Sequence, residues 1–226
     1  MNINFVLYES MLAILNKKNW LSIVLILIIV GLGMLIFFSL MGEYRLLDKY
    51  ADHKDFETVR GTMQENLDFI KKNPSNDSAY YSLGQGFYSL KGYDDAIWAF
   101  KETVRISPNT YYYWSFLGTA YQAKKDYSSA RDAYIKTLEL EPDKPLNYTQ
   151  LAWLYYFRLE PEKDKAFEVL GKGLEKFPTD KDILFDITRY YMYDENKKEF
   201  LKYAPRYIKV DATNEAINKK FKEWKK

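Results

Sequence analysis

Cysteine is absent from the 226 residues, and His53 is the single imidazole. The first absence removes disulfides, thiolate nucleophiles and Cys-ligated metals; the second removes most histidine-based metal and proton-relay sites. An excess of either charge is missing too. The 33 basic and 31 acidic side chains leave +2, too little to draw a nucleic-acid backbone by bulk attraction. No Gly-rich phosphate loop and no nucleophile elbow occurs. Acidic pairs such as Asp94-Asp95 and Glu160/Glu162 fall where turns between helices are expected, and solvated charge is ordinary there. An enzyme, a cofactor, a metal or a nucleic-acid partner is therefore not expected.

What is present is a chain with 47% apolar and 28% charged residues, enough to pack one folded domain. Tyrosine is abundant at 21 residues, against 14 Phe and 5 Trp. Such side chains suit surfaces that are apolar in body and polar at the tip.

One run carries no charge at all, WLSIVLILIIVGLGMLIFFSLM from Trp20 to Met41. At about 1.5 Å per residue it would span roughly 33 Å, close to a bilayer core. Lys17 and Lys18 precede it, Trp20 sits at one edge, and Glu43, Tyr44 and Arg45 follow. The expectation is a retained single-pass transmembrane helix over 20–41 that contacts the lipid bilayer, with the N-terminus inside and the rest of the chain outside a bacterial cytoplasmic membrane. Residues 1–19 form the cytoplasmic or interfacial segment in this reading, the apolar stretch 3–15 being too short to span.

Beyond it the sequence repeats every 34 residues. Residues 77–110, DSAYYSLGQGFYSLKGYDDAIWAFKETVRISPNT, align without a gap onto 111–144, YYYWSFLGTAYQAKKDYSSARDAYIKTLELEPDK. Large residues recur as Tyr80/Trp114, Leu83/Leu117 and Phe87/Tyr121, spaced three then four apart, which puts them on one face of a first helix. Gly84/Gly118 and Ala96/Ala130 are small where two helices of a hairpin approach closely. Phe100/Tyr134 and Thr103/Thr137 continue the buried face of a second helix, and Pro108 and Pro142 close the units.

These residues resemble the tetratricopeptide-repeat family, whose 34-residue pattern runs large residue, Leu-Gly, aromatic, central Ala, aromatic and terminal Pro. A third unit, 145–180, keeps Tyr148, Leu151, Ala152, Tyr155, Ala166, Gly173 and Pro178 with two residues inserted near Glu160-Pro161-Glu162. A fourth, 181–214, diverges. Phe200 stands at the small position, Ala212 replaces the closing proline, and Pro205 lies inside the second helix, so a splayed or kinked hairpin is expected. Residues 42–76 read as a helical stalk or degenerate repeat, and 215–226 as a capping helix. The fold class is all-α, a transmembrane helix followed by an α-solenoid.

The resemblance implies a groove lined by first helices that binds peptides or helices. Carried onto this sequence, the groove positions include Tyr81, Gln85 and Tyr88 in the first unit and Tyr112, Thr119 and Gln122 in the second. The third unit supplies Trp153, Tyr156 and Phe157, and the fourth Phe185, Arg189 and Tyr193. Family members that clamp acidic chaperone tails carry Lys, Asn and Arg where this chain has Tyr81, Gln85, Leu146 and Gln150, which argues against that partner. The expected function is a membrane-anchored scaffold that binds a protein partner in its groove and assembles or stabilises an envelope complex. The alternative is a permanent structural subunit of a large membrane complex, held by its transmembrane helix and convex face.

Overall fold

The computed structural model describes residues 46–226. The chain divides into two compact units, 1–60 and 61–226. In the described part of the first, Leu47 and Phe56 are buried. The Nδ1 of His53 accepts a hydrogen bond from the Asp55 N–H at 3.3 Å, so the single imidazole sits in a local turn.

Helix α1 spans Phe56–Lys72. Four helix pairs follow: α2 (Asp77–Ser89) with α3 (Tyr93–Ile106), α4 (Tyr111–Lys124) with α5 (Tyr127–Leu140), α6 (Pro145–Arg158) with α7 (Asp164–Lys176), and α8 (Lys181–Tyr193) with α9 (Lys197–Val210). Helix α10 (Glu215–Trp224) ends the described fold. Each pair packs within itself and against the next, giving an all-α solenoid with no strand among the described residues.

The helix boundaries follow from local chemistry. Asn76, Asp126, Asp180, Asn196 and Asn214 each accept a hydrogen bond from a backbone N–H in the first turn of the helix they precede, satisfying donors the helix cannot. At the other end, α2, α4 and α8 stop in one shared turn. Lys91, Lys125 and Glu195 take φ of 59°, 68° and 53°, and the following N–H groups reach back to Phe87, Tyr121 and Tyr191 carbonyls at 2.8, 2.9 and 3.0 Å. Gly92 is not the left-handed residue of its turn, with φ of −78°. The third pair has no such turn; the two inserted residues are taken up by a 3₁₀ segment, Glu160–Glu162, tied to α5 by Arg131 at 2.8 Å from Glu162.

Packing explains the small residues. A Cβ on Gly84 would lie 2.6 Å from the Phe100 ring, and one on Gly118 would lie 2.7 Å from the Tyr134 ring. The same two positions in the later pairs hold Ala152 with Leu170 and Thr188 with Ala204. As the first-helix residue grows from Gly to Ala to Thr, its second-helix counterpart shrinks from aromatic ring to Leu to Ala, as expected if each pair fills a similar volume. Gly86 does the same toward α1, where its Cβ would meet Met63 at 2.7 Å. Thr103 and Thr137 are buried, and each hydroxyl donates to the carbonyl four residues back at 3.0 Å.

In the fourth pair the two departures from the pattern, Phe200 and Pro205, both fall in α9. Helix α9 is assigned without interruption from Lys197 to Val210 with Pro205 inside. Phe200, at the position held elsewhere by Ala, is fully buried and packs edge-on against Trp224 of α10 at 4.9 Å. The larger side chain is accommodated beside α10, whose Trp224 supplies an aromatic wall.

The membrane location expected from residues 20–41 is corrected here. Among the described residues no helix is long and apolar enough to cross a membrane. The longest, α1, has 17 residues, roughly 26 Å at 1.5 Å each, and carries Glu57, Arg60, Glu65, Asp68, Lys71 and Lys72. The expected interfacial segment 1–19 and spanning helix 20–41 lie outside the described residues. The bilayer contact and the orientation drawn from them are withdrawn with the location.

Candidate partner-binding groove

One face of the second unit is lined by the first helices α2, α4, α6 and α8, and the twelve residues expected on it fall into three clusters. At the α2/α4 end, the half-buried Tyr81 ring meets Tyr112, Tyr113 and Phe116 at centroid distances of 5.8, 5.3 and 5.0 Å. Gln85 donates to the Tyr81 hydroxyl at 3.1 Å. Tyr112 is exposed, and so is Tyr88, which packs against Tyr93 at 5.5 Å. Gln85, Tyr88 and Thr119 border a recess of ≈ 200 Å³ floored by Phe100 and Phe116.

In the middle lies a recess of ≈ 330 Å³ shared by α4, α6 and α8, with Thr119, Gln122 and Trp153 among its walls. It also takes in Tyr134, Thr149, Gln150 and Asp186. The Tyr134 hydroxyl donates to Gln122 Oε1 at 2.9 Å and lies 3.3 Å from Thr119 Oγ1. A neighbouring recess of ≈ 250 Å³, bordered by Tyr88, Gln122, Trp153 and Arg158, continues the groove outward. The Arg158 guanidinium lies over the Trp153 ring at 5.1 Å.

The third cluster, between α6 and α8, is aromatic. Tyr156 is 7% exposed and belongs to the packed interface rather than to the open surface. Its ring stacks on Tyr190, and both its burial and the adjacent Asp194 carboxylate raise its pKa. Phe157 and Tyr193 are exposed. Arg189 reaches over Phe185 at 4.9 Å, Tyr190 at 5.1 Å and Phe157 at 5.8 Å, and pairs with Asp186 at 2.9 Å. Burial raises the pKa of Asp186 to about 6, and the Arg189 guanidinium only partly offsets this.

The structure thus brings Thr119, Gln122 and Trp153 to one recess and Phe157, Phe185, Arg189 and Tyr193 to a second patch, with Tyr81 and Tyr112 apart from both. The twelve selected positions leave out Phe116, Gln150 and Asp186, of which Gln150 alone entered the sequence reading, as a position of the chaperone-tail clamp. A signal was available, because these are the sixth residues of the second, third and fourth units. A sixth position lies about 100° from the fifth on a helix and still faces the groove where neighbouring first helices converge. Tyr134 was read as core, which its ring is; its hydroxyl is what reaches the recess.

Similar proteins share this architecture. The MamA crystal structure superposes with a TM-score of 0.59 at 21% identity, covering 71% of this chain and 95% of that one. YrrB, described as a TPR protein with an unusual peptide-binding site, gives 0.59 at 18% identity over 74% and 86%. The C-terminal part of a TPR repeat-containing protein from Cytophaga hutchinsonii gives 0.62 at 20% identity over 76% and 72%. In sequence, a DnaJ homolog subfamily C member 3 homolog from Dictyostelium discoideum is 24% identical over 156 residues, which is 63% of this chain and 31% of that protein. No protein-family model matches the chain. The 34-residue period, the ring-against-glycine pairs and these superpositions together identify the described chain as a solenoid with the tetratricopeptide-repeat fold.

Proposed function

We propose that this protein is a non-catalytic scaffold that binds a peptide or helix of a protein partner along the face lined by α2, α4, α6 and α8. The observation that carries the reading is the linked chain of recesses from Gln85 to Asp186, flanked by the exposed aromatics Tyr88, Tyr112, Phe157 and Tyr193. Tyrosine and its neighbours bury much area at low conformational cost, as interface hot spots do. The peptide-binding site of YrrB, on the same fold, supports the same use here.

Photoreactive residues installed singly at Tyr88, Phe157 and Tyr193 of the full-length chain, with Glu175 on α7 as the control position, test this by crosslinking and mass spectrometry. One partner captured from all three groove positions and not from Glu175 is the expected result. Equal capture from Glu175, or a different set of proteins at each position, would sink the reading.

A further inference from the structure

The central recess is chemically lopsided. Its hydroxyl protons are committed inward: Thr119 donates to the Ser115 carbonyl at 2.9 Å, Thr149 to the Leu146 carbonyl at 3.0 Å, and Tyr134 to Gln122. Two acceptors on its walls matter most for a basic ligand. Gln150 Oε1 is buried and has no hydrogen-bond partner. Asp186 is 8% exposed and meets one cation, Arg189, through Oδ1 at 2.9 Å. Leaving a buried acceptor without a donor is costly, so an unmatched acceptor in a folded recess calls for one.

We infer that this recess receives the lysine or arginine side chain of the bound partner, its charged end donating to Asp186 and Gln150 Oε1 and its aliphatic stem lying along Trp153. The inference rests on the groove reading above and names the chemistry of one position within it. Arg189 pairs with Asp186 through one guanidinium nitrogen and lies over the rings of Phe185, Phe157 and Tyr190, but it is not among the walls of the recess. Burial raises Asp186 to a pKa of about 6 despite Arg189, so the carboxylate is undercompensated by the one cation it has. Trp153 already accepts one guanidinium, that of Arg158, over its ring. At ≈ 330 Å³ the recess has room for a basic side chain.

The test is panning of a randomised twelve-residue peptide library on the full-length chain, in parallel with the Asp186→Asn and Gln150→Glu variants, each checked for an unchanged helical signal and a cooperative melt. Peptides retained by the unaltered chain are expected to carry Lys or Arg at one fixed position. Asp186→Asn is expected to remove that preference and weaken the selected peptides by about tenfold, the loss typical of one charge-assisted hydrogen bond. Gln150→Glu, which places a second carboxylate on the same wall, is expected to sharpen the preference, and it decides the matter if Asp186→Asn does not fold. Retained peptides without a basic position, or a preference indifferent to both variants, overturn the inference while leaving groove binding intact. A chain that retains no peptide overturns both.

Discussion

The rings of Tyr156 and Tyr190 lie face to face, 3.9 Å between centroids and 11° from parallel, and the Tyr156 hydroxyl reaches Asp194 Oδ1 at 2.7 Å and the Tyr190 carbonyl at 3.2 Å. This contact joins the first helix of the third hairpin to that of the fourth. Tyr156→Ala is expected to lower unfolding free energy by about 3–5 kcal/mol, and Tyr156→Phe by about 1 kcal/mol, through loss of the ring and of the hydrogen bond respectively. Urea denaturation of both variants reads the two losses; a Tyr156→Ala change no larger than that of Tyr156→Phe would show that the stack contributes little.

Gly118 leaves no room for a methyl group. Its added Cβ would sit 2.7 Å from Tyr134, whose hydroxyl is bonded to Gln122, so the ring cannot swing aside without breaking that bond. Gly118→Ala is expected to destabilise by about 1–3 kcal/mol despite the better helix propensity of alanine. A rise in melting temperature would contradict the packing argument.

Asp186 makes stability depend on pH with a definite sign. Its folded pKa of about 6 stands above the ordinary 3.8, so between these values the folded chain holds a proton that the unfolded chain has released. Stability from this group is full below the unfolded value and is lost as pH rises through about 6. Asp186→Asn removes the dependence. The variant is expected to gain on the parent as pH rises from 4 to 7, by on the order of 1–3 kcal/mol at the upper end. Parallel denaturation curves across that range check it, and a constant difference would refute the shift.

Lys125 ends α4 with φ 68° and ψ 19°, a conformation that a Cβ disfavours. Lys125→Gly is expected to stabilise the chain by about 0.5–1 kcal/mol, since glycine adopts that geometry freely and the side chain is exposed. Thermal denaturation decides it; a lowered midpoint would mean that Lys125 contributes a contact worth more than the strain.

Much of this architecture was legible because packing writes itself into residue size. Gly84 against Phe100 and Gly118 against Tyr134 recur at one spacing, and the spacing alone implies paired helices. The fourth hairpin was harder to read, because Phe200 makes sense only once Trp224 is seen beside it, and that contact crosses 24 residues of chain. The groove was legible in outline but not in its polar centre. Which side of Tyr156 or Asp186 faces outward depends on how closely α6 and α8 approach, and a helical repeat leaves that angle open. The apolar run at 20–41 was read from hydropathy alone, and among the described residues no helix can span a bilayer.

The exchange of bulk between paired positions, Gly84 with Phe100 through Thr188 with Ala204, also bears on how such a chain can be recombined. A helix moved alone from one hairpin to another would arrive with the wrong partner: Thr188 opposite an aromatic ring would collide, and Gly84 opposite Ala204 would leave a void. A whole hairpin carries its matched pair with it. For duplication, shuffling or deliberate lengthening of this solenoid, the heritable module is the hairpin, and crossovers between repeats are tolerated where one hairpin ends and the next begins.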